Sequence, residues 1–221
     1  MITIYTHFTD SHKPMYDRFF LPSLRKLYSK DEVRLRVLQT PQLSKTGSFM
    51  SPGFVETVDV KVDHILRALD EQESFIFADV DICFYKPFVE DVMNKLNGYD
   101  IVCQEDRESL CSGFFACKSN SSTKGLFKEI KNHLRSHNVN DQVSLNHLKD
   151  IVKYGLLDKR AYYTIGNFYT NENGTYIWNN KVHINPPSDM VLHHANYVVG
   201  VENKIRLLEM IKNNYERGYF S

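Results

Sequence analysis

The sequence predicts an α/β protein, and two observations carry that expectation. Short β-branched and aromatic runs alternate with longer segments whose apolar residues recur at helical spacing. The strongest run, Phe75–Phe88 (FIFADVDICFYKPF), places two aspartates, Asp79 and Asp81, between its apolar halves. An unpaired carboxylate inside a buried strand is costly or loses its charge. The pair therefore belongs at a strand's end, at the mouth of a crevice. Open α/β sheets hold their ligands outside the carboxyl ends of their strands.

Ile2–Thr6 is the expected first strand, followed at its carboxyl end by His7, Phe8, Thr9 and Asp10. Thr6 and His7 are placed there to meet a nucleotide; a plain strand-to-helix loop with Asp10 or Ser11 as N-cap fits as well. Pro14–Tyr28 carries a helical apolar stripe that Pro22 disturbs. Val33–Leu38 alternates apolar and basic residues as a second strand. Gln39–Phe54, with two prolines and two glycines, reads as a long loop, the kind that is solvated or closes over a ligand; Lys45 sits within it. Val55–Leu69 is a helix with Lys61 and Asp63 off its apolar stripe. They either form an exposed salt-bridging face or reach the ligand crevice.

Beyond the aspartates, Val89–Leu96 reads as a helix and Tyr99–Cys103 as a strand, with Gln104–Arg107 an acidic loop at the crevice edge. Ser112–Cys117 is a strand whose Gly113 permits close backbone approach. Ser119–Thr123 reads as a turn and Gly125–His133 as a helix. Asn140 is the expected N-cap of a helix with Val143, Leu145 and Leu148 inward. Asp141 in its first turn suits the helix dipole, and Asp141 and Gln142 are also placed to bond sugar hydroxyls. Thr164–Trp178, rich in Gly, Asn and Tyr, reads as an acceptor-side wall. Ile205–Tyr215 is the last helix.

At 221 residues the chain is long enough for one large domain. Lys+Arg and Asp+Glu both number 27, so the formal charge is zero and binding of nucleic acid by bulk charge is not expected. No apolar stretch of about 18 residues exists to span a membrane. The N-terminus opens directly into a strand without a signal-peptide pattern. The four cysteines lack zinc spacing and read as reduced thiols, so a cytoplasmic protein is expected.

Residues i and i+2 of an extended chain share a face, so Asp79 and Asp81 can grip one cation. Hard oxygen ligands suit Mg²⁺ or Mn²⁺, which also hold diphosphates. A lone D-x-D is common as a solvated turn. Here a hydrophobic strand precedes it, aromatics follow, and Pro87 closes the segment. Met190–Tyr197 (MVLHHANY) is the second informative stretch. Strand alternation lets one of His193 and His194 face a site as a third ligand. Asn196, Gly200 and Lys204 follow with an amide, close backbone approach and a charge for phosphate.

FADVDICFYKPF, SGFFACKSN, NDQVSLNHL and HHANYVVGVENK, in that order, resemble the nucleotide-diphospho-sugar transferase family, and within it the small glycosyltransferase domains of large algal viruses. The resemblance implies a GT-A fold, a Rossmann-like mixed, mostly parallel sheet flanked by helices. It implies a single domain over residues 1–221, with a nucleotide-binding part over roughly 1–118 and a sugar- and acceptor-binding part over roughly 119–221. The implied activity moves a sugar from a nucleoside-diphosphate sugar, usually UDP-linked, to a glycan hydroxyl, with retention, in a monomer. The host cytoplasm is the implied location if the chain is viral.

Carried over to this sequence, Mn²⁺ (or Mg²⁺) falls to Asp79, Asp81 and His194. With the residues placed above by position, the nucleotide is expected at Thr6, His7, Phe8, Lys61, Asp79, Val80, Asn196, Gly200 and Lys204. Ser112, Gly113, Asp141 and Gln142 meet the sugar, and Asp79, Asp81 and Asp141 are the catalytic carboxylates. Should the reaction invert, Asp106 and Asp141 are the candidate bases. Two other readings use the same residues: a metal-dependent phosphohydrolase or nucleotidyltransferase, and a non-catalytic sugar-nucleotide or glycan-binding module.

Overall fold

A computed structural model describes residues 1–44, 47, 49, 51–165, 184–196 and 198–221. Lys45 and residues 166–178 of the expected acceptor-side wall lie outside the described residues, as does Tyr197.

Six strands form the main sheet in the order β2-β1-β3-β6-β5-β7. They are β1 (Ile2–Thr9), β2 (Val33–Thr40), β3 (Ser74–Ala78), β5 (Ile101–Asp106), β6 (Ser109–Lys118) and β7 (Tyr154–Leu156). Strands β2, β1 and β3 are mutually parallel, β6 runs antiparallel between β3 and β5, and β7 is parallel to β5. The alternation of β3 shows why the sheet is apolar on both faces. Phe75 and Phe77 pack with α3 (Phe54–Glu71) and α5 (Ser121–His137) through residues such as Val62 and Leu126. Ile76 and Ala78 pack on the other face with Leu24 of α2 (Leu21–Leu27) and Val92 of α4 (Val89–Leu96). A sheet covered by helices on both faces needs continuous apolar strands.

The Phe75–Phe88 run is not one strand. It splits into β3 and β4 (Ile82–Phe84), which belong to different sheets. Asp79-Val80-Asp81 is the crossing between them. β4 joins a three-stranded sheet in the order β4-β9-β8 with β9 (Leu192–His194) and β8 (Tyr162–Tyr163). A third apolar cluster, with Met15, Cys83, His193's neighbour Tyr163, and Leu208 of α7 (Val201–Glu216), packs against this small sheet.

Several boundaries differ from expectation for physical reasons. The first helical segment passes from a 3-10 turn (Asp10–His12) through α1 (Lys13–Met15) and a π turn (Tyr16–Phe20) into α2. Pro22 has no N–H and its ring crowds the preceding turn, and the Leu21 N–H reaches back five residues to the Tyr16 carbonyl. Gln104–Asp106 is strand, not loop, because β5 and β6 form a hairpin. Its tip places Arg107 and Glu108 at positive φ, 52° and 67°. The Ser119–Thr123 turn is instead the start of α5, where Asn120 and Thr123 form a reciprocal capping box. Asn140 caps α6 (Asp141–Leu148) as expected, its side chain accepting the Val143 N–H at 2.7 Å. Val143 points outward, 50% exposed, while Leu145 is buried. All four cysteines are buried and free. No helix among the described residues is long and apolar enough to cross a membrane.

Candidate active site

The sheet topology brings the chemistry to one rim. Strands β1, β3 and β5 all point their carboxyl ends the same way, so Thr9, Asp79 and Asp106 finish on the same side. The antiparallel β6 starts there, and the N-terminus of α6 and the pairing of His194 with Ile82 complete the ring. A cavity of about 500 Å³ opens at this rim.

Asp79, Val80, Asp81 and His194 all line it, with Lys61, Lys204, Asn196 and Gly200. So do Ser112, Gly113, Asp141 and Gln142, as well as His7 and Phe8. Thr6 does not: it is fully buried beneath the rim, and its hydroxyl has no hydrogen-bond partner among the described residues. Sequence reasoning missed His12 and Cys111, which also line the cavity; it placed Gln104 in a loop at the crevice edge, whereas the residue lies in β5 behind the cavity.

The centre is an acidic pair and an imidazole. One ligand atom from each of Asp79, Asp81 and His194 lies within 4.8 Å of the others. His194 Nε2 stands 3.2 Å from Asp81 Oδ1. Strand alternation sends the neighbouring His193 the other way, into full burial, where its pKa falls to about 3 because the charged form is desolvated. The ring of His194 lies over Gly113. A β-carbon built there would come within 2.4 Å of His194 Cε1 and 2.7 Å of Asp79 Oδ2. The close approach that glycine permits is thus to an imidazole and a carboxylate.

Two lysines neutralise the acids. Lys61 Nζ lies 3.0 Å from Asp79 Oδ1 and 2.9 Å from Asp141 Oδ2, and 5.0 Å above the Phe77 ring. It is 7% exposed, so the salt-bridging surface expected of this helix face does not apply to it. Asp63 does follow that reading, pairing with Lys131. Burial works against the Lys61 ammonium, but Asp141 and Asp79 outweigh it and raise its pKa. Lys204 Nζ lies 2.5 Å from Asp81 Oδ2. Burial pushes Asp81 up, yet Lys204 and His194 more than offset it and hold the carboxyl well below the usual range. Asp79 is shifted upward, by burial first and by the charge of Asp81, with Lys61 opposing.

Asp106 is 2% exposed and holds two amides. Its Oδ2 accepts from Gln142 Nε2 at 2.6 Å and Asn196 Nδ2 at 3.3 Å. Gln142 Oε1 in turn accepts the Ser112 N–H at 3.3 Å. Asn196 also bonds the Thr164 hydroxyl. Gly200 sits at φ 94°, which favours glycine, and is the N-cap of α7, one turn before Lys204.

Four carboxylates (Asp79, Asp81, Asp106, Asp141) thus face two ammonium groups among the described lining residues. The excess negative charge and the oxygen-oxygen-nitrogen donor set fit a divalent cation of the Mn²⁺ or Mg²⁺ kind.

The chain belongs to the nucleotide-diphospho-sugar transferase family, which it matches over residues 20–208. It is 23% identical over 187 residues to a UDP-galactose:fucoside alpha-3-galactosyltransferase of Dictyostelium discoideum. That match covers 71% of this chain and 28% of the relative's length. Its fold is that of GT-A glycosyltransferases. Galactosyltransferase LgtC, solved with donor and acceptor sugar analogs, superposes with a TM-score of 0.57 at 11% identity, covering 99% of this chain and 100% of that one. A glycosyltransferase involved in glycosylation of the major capsid of PBCV-1 gives 0.59 at 10% identity, covering 95% and 99%. Glycosyltransferase GlyE of Streptococcus pneumoniae TIGR4 gives 0.61 at 11%, covering 99% and 62%.

Proposed function

We propose that this chain is a divalent-metal-dependent glycosyltransferase that moves a sugar from a UDP-sugar to a hydroxyl of a glycan acceptor, with retention. The observation that carries this reading is the convergence of Asp79, Asp81 and His194 beside Lys204 at the rim of a GT-A sheet. Asp79, Asp81 and His194 Nε2 would hold Mn²⁺ or Mg²⁺. Bound there, the ion supplies a Lewis acid that stabilises the diphosphate leaving group. Lys204, freed from Asp81, and the backbone at Gly200 grip the diphosphate. His7, Phe8 and Val80 line the nucleotide side, with roughly residues 1–118 carrying most of the nucleotide contacts outside the diphosphate and roughly residues 119–221 most of the sugar and acceptor side. Gln142, oriented by Asp106 and the Ser112 N–H, and Asp141, oriented by Lys61, meet the transferred sugar.

In the transfer, the bond between the anomeric carbon and the phosphate oxygen breaks, its electrons passing to that oxygen. The acceptor hydroxyl oxygen bonds the anomeric carbon, and its proton goes to the departing phosphate. Without substrate, Asp106 is held by two amides and Asp141 by Lys61; the retaining course needs neither as a base.

The test is a thermal-shift panel of sugar nucleotides with and without Mn²⁺. A bound ligand stabilises the native state by mass action. UDP-galactose, named in the Dictyostelium relative's activity, is the first donor to try. A UDP-sugar should raise the melting temperature only with the metal, and should be consumed when a glycan acceptor is added. Turnover of nucleoside triphosphates without an acceptor would favour a phosphohydrolase or nucleotidyltransferase instead.

A further inference from the structure

Gln104 is a fully buried polar side chain behind the cavity. It sits where the β5–β6 ladder breaks. Pairing passes from Cys103 with Phe115 to Glu105 with Leu110, so Gln104 alone faces the four residues Cys111–Phe114. Such irregularities beside active sites re-aim side chains. Here the break opens a gap that the His194 ring enters over Gly113.

The amide of Gln104 is fixed at both ends. Its Nε2 donates to the carbonyls of Tyr162 at 3.0 Å and Tyr163 at 3.4 Å. Its Oε1 lies 2.8 Å from His194 Nδ1. Backbone carbonyls only accept, so the nitrogen end must face Tyr162 and Tyr163. The oxygen end must then face His194. An amide oxygen also only accepts, so His194 Nδ1 carries the hydrogen. Cys111 Sγ, 3.7 Å from the same nitrogen, takes the Gly113 N–H and is compatible as a weak acceptor. On the other side of the ring, Asp81 Oδ1 stands 3.2 Å from Nε2 and would favour a proton there. The two neighbours pull the imidazole hydrogen to opposite nitrogens.

We propose that Gln104 is a positioning residue that keeps the His194 hydrogen on Nδ1, against the pull of Asp81, and so leaves Nε2 as the nitrogen offered to a cation shared with Asp79 and Asp81. This rests on the metal-binding reading above. Outer hydrogen-bond partners of metal-binding histidines fix tautomer and ring orientation, and their loss costs about 10–100-fold in metal affinity.

The test combines two readouts on metal-free and Mn²⁺-titrated full chain. Nitrogen-15 histidine NMR of the metal-free protein above neutral pH, with His194 assigned through His194→Gln, reports which ring nitrogen is protonated. Mn²⁺ binding without donor is followed by electron paramagnetic resonance. Wild type should show a protonated Nδ1. Gln104→Leu should move the hydrogen to Nε2 and weaken Mn²⁺ binding about 10–100-fold. Gln104→Met, of similar length, serves if the leucine variant does not fold, and the wild-type spectrum decides without any variant. A wild-type ring bearing its only hydrogen on Nε2 would overturn the proposal. So would a variant with unchanged tautomer, or one whose tautomer changes while Mn²⁺ affinity does not. Wild type that binds no Mn²⁺ would overturn the metal reading, while the site of the Nδ1 hydrogen would still decide what Gln104 does.

Discussion

Lys204 Nζ lies 2.5 Å from Asp81 Oδ2, on the carboxylate whose other oxygen faces His194. The ammonium and a metal ion therefore compete for the same carboxylate, while a diphosphate would draw the ammonium away. Lys204→Met should have opposite effects on the two ligands. Mn²⁺ alone should bind about tenfold tighter, since a charge-assisted hydrogen bond of about 1.5–3 kcal/mol no longer has to be broken. UDP in saturating Mn²⁺ should bind about tenfold more weakly. Calorimetric titration of each ligand checks this; a parallel loss of both affinities contradicts it.

Lys61 bridges Asp79 and Asp141, and it is almost fully buried. Removing one partner of a buried pair leaves charge uncompensated, at a cost of about 3–5 kcal/mol. Lys61→Met should therefore lower unfolding free energy by about 3 kcal/mol, with Asp79 partly exposed and so partly screened. Adding Asp141→Asn should recover part of the loss. Urea denaturation of the two single variants and the double variant measures the coupling.

Gly113 has no room for a methyl group. Gly113→Ala should drive His194 and Asp79 apart and cut Mn²⁺-dependent UDP binding more than about tenfold, with a stability loss of about 1–3 kcal/mol. Parallel calorimetry and denaturation separate the two effects. Unchanged binding would mean that the ring and the carboxylate are not held where they lie.

His7 titrates abnormally. Burial, and then the nearby Lys61 charge, lower its pKa from 6.5 to about 3. Above pH 6.5 neither folded nor unfolded chain binds this proton, and the full contribution to stability is present. Between 6.5 and about 3 the unfolded chain takes up a proton that the folded chain refuses, so stability falls as pH falls. His7→Gln should keep a partner for the Thr40 hydroxyl, now 2.9 Å from His7 Nε2, and remove that proton. The acid limb of stability against pH should flatten by up to about 1.4 kcal/mol per pH unit. An unaltered limb between pH 6 and about 4 would contradict it.

The acidic crossing was legible because strand geometry has a short period; the same period lets only one of two neighbouring histidines face the rim, and the resemblance to the family chose His194. Asp79 and Asp81 interrupt an apolar run, and alternation alone sends His193 inward when His194 faces the rim. Lys61 was not legible. A helical stripe separates core-facing from other residues, but it does not separate a side facing solvent from a side facing a buried site. The same limit applied to Val143, an apolar residue that points outward. Gln104 was hidden by its turn. The β5–β6 hairpin tip uses Arg107 and Glu108 at positive φ, without the glycine or asparagine that usually marks such a turn. A strand ending there therefore looked like a charged loop.

The most direct test of the account is the anomalous diffraction of crystals grown with Mn²⁺ and UDP. One Mn²⁺ peak is predicted within coordination distance of Asp79, Asp81 and His194 Nε2, with Lys204 turned from Asp81 to the diphosphate. Saturating Mn²⁺ that gives no peak there, or UDP bound with Lys204 still on Asp81, would contradict it.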